Sequence, residues 1–288
     1  MDILNNYNIA KKDIAADELS AWDRVKIARS ATRPHSMDYI NKIVTEFFEL
    51  HGDRYFSDDP AVVGGIGMLK DIPVTVVAQQ KGRLLEEKMH RNFGMPHPEG
   101  YRKSLRLIQE AEKFNRPVIC FVDTPGAYPG LGAEERGQAR AIADNLFELS
   151  GARTPILTVV VGEGGSGGAL ALSVCDKLYM LENSIYSVIS PEGCASILWK
   201  DSSRAQEAAQ HLKMTARDLK EYGLIDEVVK EPEGFCRDYM DPVCELLKEK
   251  LYRTLKKLMR LSDKKLVARR QERYLDMGRG WLEWIESK

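Results

Sequence analysis

The sequence predicts an α/β fold, in which buried strands alternate with helices. Two apolar runs rich in β-branched residues, 117–122 and 156–161, have the length and composition of buried strands. Each run leads into a loop rich in glycine, and each loop leads into a segment with helical character. Loops at the same ends of successive strands face a common crevice. This repeated order therefore predicts the fold class and also the place of a site.

The composition is compatible with that fold. At 288 residues the chain can bury a full core, as one large domain or two small ones. Apolar residues at 43% and charged residues at 30% give an ordinary soluble, globular balance. The net charge of −1 indicates neither a nucleic-acid nor a membrane partner. No apolar run approaches the roughly eighteen residues of a membrane span, and the N-terminus has no signal-peptide core, so we expect a cytoplasmic protein.

The cysteines indicate neither a disulfide framework nor a zinc site. Their number is odd and no C-x-x-C pair occurs. Two lie in apolar segments, where a reduced core cysteine is the expected state. We therefore expect no metal on this chain. The five residues are Cys120, Cys175, Cys194, Cys236 and Cys244.

The N-terminal part predicts two helices, over 13–31 and 37–50, from apolar residues that recur on one side of each. They would form an arm against a partner subunit or cap the domain that follows, and the sequence leaves both open. Two strands come next, over 62–69 and 73–78, joined by the turn at 70–72.

A basic loop then runs from Lys81 to Met95. Its charges at Lys81, Arg83, Lys88 and Arg91 could hold a phosphate or a carboxylate, although a solvated loop is the more usual meaning of such charges. A helix over 98–114 follows, with proline and glutamate in its first turn. After the strand at 117–122, the loop 123–132 leads into a helix over 133–149.

The second glycine loop, 162–168, has five glycines in seven residues and leads into a short apolar helix over 169–174. The first N–H groups of a helix lack an intrahelical partner, and the helix dipole is positive at that end. Glycines there allow another molecule to approach the backbone closely. This arrangement predicts a site that donates backbone hydrogen bonds to a negative oxygen.

The same loop matches three functional motifs. Gly162-x-Gly164-x-x-Gly167, with Glu182 about twenty residues on, fits the dinucleotide fingerprint. Gly164-x-Ser166-x-Gly168 fits the nucleophile elbow of serine hydrolases. An oxyanion hole of backbone amides is the third interpretation. A simple tight turn is the structural alternative.

The rest of the chain predicts strands at 177–181 and 185–189 and a helix start at Ser190-Pro191. Short helices at 193–199, 203–212 and 215–219 precede a last strand within 223–229. Residues 242–274 predict a long amphipathic helix or a helix pair, whose many basic residues form a solvated face.

Six longer motifs stand out along the chain. They are RNFGMP at 91–96, PEGYRK at 98–103, DTPGAYPG at 123–130, GAEERGQ at 132–138, GEGGSGGAL at 162–170 and YSVISPEGCASILWK at 186–200. On these motifs the sequence resembles, from about Tyr39 to Val229 and more weakly as far as the C-terminus, the α subunits of the bacterial acetyl-coenzyme A carboxylase carboxyltransferase. The resemblance implies the crotonase-like (ClpP/crotonase) fold, a spiral of β-β-α units. We expect a helical arm at 1–55, the carboxyltransferase domain at 56–235 and a helical extension at 236–288.

The resemblance implies carboxyl transfer from carboxybiotin to acetyl-CoA, which gives malonyl-CoA for fatty acid synthesis. Carboxybiotin is then carried on a biotin carboxyl carrier protein, and the β subunit, which bears the zinc ribbon, and biotin carboxylase are further partners in an ATP-dependent complex. We expect an α₂β₂ assembly. The amides of Gly167 and Gly168 would form the oxyanion hole for biotin. The candidate substrate-binding residues are Gly126, Ala127, Tyr128, Gly164, Gly165, Ser166, Lys81, Arg83 and Arg91.

The resemblance favours the oxyanion hole among the three motifs. A dinucleotide fold places its fingerprint after the first strand, with a longer helix behind it. A serine hydrolase of the elbow type needs an acid and then a histidine downstream, and His211 alone follows Ser166. His211 lies in a polar segment typical of the surface.

Two other functions remain open in the sequence. A stand-alone crotonase-fold hydratase, isomerase or decarboxylase would act without a partner, and the first two need a carboxylate near the thioester. Glu163, Glu134 and Glu135 are the residues that could supply it, although Glu163 could equally brace the turn. A scaffold subunit that only positions a partner is the non-enzymatic alternative.

Overall fold

The computed structural model describes residues 19–277, and their strands form one mixed sheet of eight strands. The spatial order is β1-β2-β3-β4-β5-β6-β8, with β7 paired to the end of β5. The strands are β1 (Thr45–Glu49), β2 (Val62–Leu69), β3 (Ile72–Gln79), β4 (Val118–Thr124), β5 (Ile156–Gly165), β6 (Lys177–Leu181), β7 (Ile185–Ser187) and β8 (Glu227–Val229).

Helices cover both faces of this sheet. Their bounds are α1 (Ala21–Ala28), α2 (Ser36–Ile43), α3 (Leu85–His90), α4 (Pro98–Lys113), α5 (Leu131–Glu135), α6 (Gln138–Gly151), α7 (Ser166–Leu170), α8 (Pro191–Trp199), α9 (Ala205–Leu212), α10 (Ala216–Glu221), α11 (Asp241–Leu258) and α12 (Asp263–Asp276). None of the helices between residues 19 and 277 combines the length and the apolar character needed to cross a bilayer.

The strand directions divide the sheet into two parts. Strands β1, β2 and β3 are antiparallel neighbours, whereas β3, β4, β5, β6 and β8 run parallel. Strand β5 is shared: Leu157 to Val160 pair with β6, and Glu163 to Gly165 pair with β7. Because β4 and β5 are parallel, the loops that follow them emerge at the same edge of the sheet.

Side chains alternate between two cores, one on each face of the sheet. Ile119 and Phe121 of β4 face the core that includes Tyr39 of α2 and Leu251 of α11. Cys120, between them, faces the core formed with α4, α6 and α10. This alternation follows from the two-residue period of a strand, and burial on both faces explains the continuous apolar runs of the sequence. Residues from both predicted helical extensions therefore pack on the central sheet.

The predicted helix over 37–50 is wrong in its second half. Helix α2 ends at Ile43, and Val44 is extended with φ −109° and ψ 128°. Strand β1 follows and pairs with the edge of β2. Phe47 packs against the core, whereas Phe48 is 70% exposed, so the two aromatic residues alternate as in a strand.

Other elements differ at their ends. The predicted helix over 133–149 is two helices, because Gly137 adopts the left-handed conformation with φ 85° between α5 and α6. Strand β5 continues through the glycines to Gly165, and α7 begins at Ser166 instead of residue 169. The basic loop contains α3. The C-terminal segment is a helix pair, α11 and α12, and the predicted helix at 13–31 begins outside the described residues.

Candidate functional site

The two glycine loops, after β4 and after β5, touch through their backbones. A Cβ atom added to Gly168 would lie 2.6 Å from the backbone nitrogen of Ala127 and 2.7 Å from the carbonyl carbon of Gly126. At Gly165 an added Cβ would lie 2.1 Å from the carbonyl oxygen of Pro125. Only glycine allows this approach. The loop after β4, which carries the candidate residues Gly126 and Ala127, therefore lies against the α7 turn.

The amides of Gly167 and Gly168 lie in the first turn of α7, where N–H groups have no intrahelical acceptor. Neither N–H has a hydrogen-bond partner within residues 19–277. The carbonyl oxygen of Gly168 accepts a hydrogen bond from Nε2 of the buried Gln79 at 2.6 Å. Ser166 is exposed and holds a left-handed φ of 52°. The carbonyl end of Gly168 is thus held by Gln79. No acceptor within residues 19–277 occupies the N–H groups of Gly167, which is half-buried, or of Gly168, which is buried.

An ion-pair ring holds Glu163, the second residue of the glycine loop 162–168. Nζ of Lys81 lies 2.8 Å from Oδ1 of Asp123 and 2.8 Å from Oε2 of Glu163. The ring closes through the backbone, because Oδ1 of Asp123 also accepts the N–H of Glu163 at 3.0 Å. Asp123 and Glu163 are buried, and the Lys81 side chain is 16% exposed. The ends of β3, β4 and β5 are therefore tied together by charge at the edge where the loops emerge.

Arg29, which caps the C-terminus of α1, joins the same ring. Its Nε donates to Oε1 of Glu163 at 2.7 Å, and its NH1 donates to Oε1 of Glu192 at 2.6 Å. Glu192 lies in the first turn of α8. The N-terminal segment therefore reaches the glycine loop and bridges it to α8.

The ion pairs keep Glu163 and Lys81 charged. Burial opposes ionisation of Glu163, but Lys81 and Arg29 outweigh it and lower the pKa of the carboxyl. Burial likewise opposes the charge on Lys81, but Asp123 and Glu163 outweigh it and raise the pKa of the ammonium. A doubly ion-paired carboxylate with a lowered pKa is a poor general acid or base, since such a group works best with a pKa near the operating pH.

A cavity of about 230 Å³ opens beside the ring. Burial is the main reason for a lowered pKa at His35, whose Nδ1 lies 3.1 Å from the carbonyl oxygen of Lys81. Lys88 has no ion-pair partner within residues 19–277. Arg29, Lys81 and Arg83 also line the cavity but are already paired with carboxylates. Among the described residues of the lining, Lys88 is therefore the cation that is left for an anionic ligand. The lining includes Arg29, His35, Lys81, Arg83, Lys88 and Glu163, with Phe93 and Pro125 as apolar walls.

The other sequence-predicted candidates lie at different distances from this cavity. Arg83 lines it and is paired with Asp38 of α2. Arg91 donates from NH1 to the carbonyl oxygen of Pro60 at 2.7 Å and is not part of the lining. Gly164 and Gly165 line a smaller adjoining pocket. The ring of Tyr128 packs at a tilt against the ring of His97, with centroids 4.1 Å apart.

The residues that a hydrolase or hydratase would need are not assembled here. His211 is exposed and lies against Trp199, with ring centroids 6.4 Å apart, and no hydrogen bond joins it to Ser166 within residues 19–277. Glu134 and Glu135 are exposed on α5. Glu163 braces the turn through its ion pairs. In the part of the chain that the structure describes, no three His, Cys, Asp or Glu residues are grouped as metal ligands.

Sequence reasoning missed Asp123 and Arg29 as parts of the site. Asp123 had a signal, because it stands directly between a buried strand and a glycine loop, where polar residues meet at a sheet edge. No sequence pattern pointed to Arg29, because its contact with Glu163 joins residues that are 134 positions apart in the chain.

This geometry can be compared with known proteins. The family model described as acetyl co-enzyme A carboxylase carboxyltransferase-like matches residues 2–278. The chain belongs to this family. It is 56% identical over 265 residues to the acetyl-coenzyme A carboxylase carboxyl transferase subunit alpha of Bacillus subtilis, and the match covers 92% of this chain and 82% of that protein. The equivalent subunit of Anoxybacillus flavithermus is 54% identical over 278 residues, or 96% of this chain and 84% of that protein.

Solved structures confirm the crotonase-like fold of this carboxyltransferase family member. A transcarboxylase 12S structure has a TM-score of 0.60 at 23% identity and covers 78% of this chain and 44% of its own. The β subunit of geranyl-CoA carboxylase from P. aeruginosa has a TM-score of 0.62 at 18% identity, covering 88% and 45%. A chain of a Pseudomonas malonate decarboxylase hetero-tetramer has a TM-score of 0.61 at 17% identity, and the match covers 78% of this chain and 92% of that chain. At these identities the likeness is one of fold.

Proposed function

We propose that this chain is the α subunit of an acetyl-CoA carboxylase carboxyltransferase. In this role it transfers a carboxyl group from carboxybiotin to acetyl-CoA and forms malonyl-CoA. The relatives that are 54–56% identical carry this name over most of the chain. The structural observation that carries the proposal is the pair of amides at Gly167 and Gly168, which have no hydrogen-bond partner within residues 19–277 and follow the strand whose residue Glu163 lines the cavity.

We infer that the space in front of Gly167 and Gly126 receives a flat, neutral ring with one carbonyl oxygen, the ureido ring of biotin. A Cβ added to Gly167 would meet only Ile142, at 3.7 Å, and one added to Gly126 would meet nothing within 4 Å. The front of the loops is therefore open, whereas their facing backbones are packed. When carboxylated, biotin supplies the carboxyl group that is transferred.

This chain contributes backbone donors to that reaction. We assign the N–H groups of Gly167 and Gly168 to the ureido oxygen of biotin, where they stabilise negative charge as it develops. Removal of such a donor in other enzymes lowers turnover by about two to three orders of magnitude. Gly164, Gly165 and Ser166 hold the loop that presents these amides, and Gly126, Ala127 and Tyr128 form its facing wall. Lys81 and Arg83 line the neighbouring cavity, and Arg91 supports the basic loop.

The other half of the site lies on a partner. An α subunit implies a β subunit, and we propose that the latter holds acetyl-CoA across the crevice in an α₂β₂ complex. The biotin carboxyl carrier protein and biotin carboxylase complete the system, which we place in the cytoplasm at the first committed step of fatty acid synthesis. We expect no metal on this chain and the zinc ribbon on β.

A direct test is the malonyl-CoA-dependent carboxylation of free biotin, measured with the chain alone and with a matched β subunit. We expect no turnover alone, stable binding of β, and turnover in the complex. Full activity of the isolated chain, or no binding of β, contradicts the proposal. Hydration of an enoyl-CoA, or biotin-independent decarboxylation of malonyl-CoA by the isolated chain, would instead support the stand-alone crotonase-fold enzyme.

A further inference from the structure

We propose that the ion-pair ring of Lys81, Asp123 and Glu163, joined by Arg29, positions the amides of Gly167 and Gly168. The inference rests on the proposed function, because it assigns a task to charged residues that touch no reacting atom. These are positioning residues. They act through the backbone at the end of β5, and their effect is transmitted along the glycine run.

The ring touches the backbone of β5 directly. Asp123 accepts the N–H of Glu163 at 3.0 Å, and a Cβ added to Gly162 would lie 2.3 Å from Oδ1 of Asp123. The carboxylate therefore lies directly against the backbone at 162–163. Strand β5 changes its partner there, from β6 at Val160 to β7 at Glu163, and its register against β4 shifts between Val122 and Thr124. Asp123 thus holds the backbone of β5 at the point where the strand changes its partner.

The charges of the ring balance one another. Lys81 neutralises both carboxylates at 2.8 Å each, and Arg29 gives Glu163 a second cation at 2.7 Å. Buried ion pairs contribute little net stability, because desolvation offsets their attraction, yet removing one partner leaves an uncompensated buried charge. A ring that only stabilised the fold could be replaced by apolar packing. Its placement three residues before the donor turn points to a geometric task.

A similar ion pair lies at the other end of β5. Oδ2 of Asp176 accepts the N–H of Ile156, the first residue of β5, at 2.7 Å. The same oxygen pairs with Nη2 of Arg270 at 2.7 Å. Both side chains are fully buried. The two ends of β5 therefore carry the same device, a carboxylate that holds a backbone N–H and is neutralised by a cation. Only one end adjoins the glycine loop.

The experiment compares both devices in the assembled complex with a matched β subunit. The variants at the ring are Lys81→Met, the isosteric Glu163→Gln, and Lys81→Arg as the conservative replacement. Asp176→Asn is the control at the far end of β5. The readouts are malonyl-CoA-dependent biotin carboxylation, the unfolding midpoint, and hydrogen–deuterium exchange of the peptide 162–172.

We expect Lys81→Met and Glu163→Gln to lower kcat by about 10- to 100-fold, the range that follows from slight misplacement of a catalytic group. The KM for malonyl-CoA should stay within about twofold, because the loss falls on the transition state. Hydrogen–deuterium exchange of the peptide 162–172 should rise in both variants. In Lys81→Arg, kcat and the exchange of this peptide should both lie close to the wild-type values. Asp176→Asn should lower the unfolding midpoint but keep kcat and the exchange of 162–172.

Two results would overturn the inference: unchanged kcat and exchange in Lys81→Met and Glu163→Gln, or an equal loss of kcat in Asp176→Asn. If the wild-type complex fails to carboxylate biotin, the proposed function fails. The exchange of 162–172 still tests the ring in that case, so the two failures are distinguishable.

Discussion

A Cβ atom on Gly168 would lie 2.6 Å from the backbone nitrogen of Ala127, closer than any real contact between such atoms. The neighbouring Gly167 is different, because a Cβ there meets only Ile142 at 3.7 Å. The two adjacent glycines thus have different structural roles. Gly168 allows the two loops to pack, and Gly167 leaves space in front of them.

Gly168→Ala should therefore damage both the fold and the reaction, since the loops must separate. We expect Gly167→Val to keep the unfolding midpoint near that of the wild type but to lower turnover by about a hundredfold, because its branched side chain obstructs the approach to a donor amide. Turnover and thermal unfolding of the β-bound complex measure both effects. Wild-type turnover in Gly167→Val would remove this turn from the site.

Ser166 should be dispensable for chemistry. Its hydroxyl is exposed and no histidine is hydrogen-bonded to it within the described residues. Ser166→Ala should keep most of the turnover, whereas Ser166→Gly relaxes the left-handed φ of 52° and should raise the midpoint slightly. Covalent labelling of Ser166 by a fluorophosphonate, or loss of all activity in a folded Ser166→Ala protein, would restore the hydrolase hypothesis.

The charge on Glu163 predicts a pH dependence of stability. Its pKa is lowered in the folded state, mainly because Lys81 and Arg29 outweigh the opposing effect of burial. Its stabilising contribution is therefore complete above the unfolded value, about 4.3, and is lost as pH falls through the folded pKa. Between about pH 5 and 3 the unfolding free energy of the wild type should fall more steeply than that of Glu163→Gln. Denaturant titrations at stepped pH measure the two slopes, and parallel curves would contradict the prediction.

Arg270 should be among the costliest single residues to remove. It is buried, pairs with Asp176, and donates to the carbonyl oxygens of Leu149, Ala152 and Thr154. Arg270→Met should cost about 3–5 kcal/mol of unfolding free energy, because Asp176 is left buried and unpaired. The exposed pair of Arg140 with Asp144 is the control, and Arg140→Met should cause no measurable change. Equal losses in the two variants would contradict this distinction between buried and exposed pairs.

Local patterns in the sequence account for much of the fold. Strands β2 and β3 and helix α4 lie where their periodicity and turn residues predict. The glycine loops were also predictable, because each follows an apolar strand. Strand β1 was not, since its pairing with the glycine-rich edge of β2 decides between strand and helix. The ring around Glu163 was likewise hidden, because its contacts with Lys81 and Arg29 depend on the folded arrangement.

The contact between Arg29 and Glu163 also has a consequence for the order of folding events. It joins residues 134 positions apart, so a long stretch of chain must already be in place before the arginine can reach its carboxylate. Closing such a loop costs conformational entropy that local helices and hairpins do not pay. During synthesis, α1 leaves the ribosome well before β5 exists. We expect the sheet to condense first and this edge of the molecule to acquire its final form among the last events of folding.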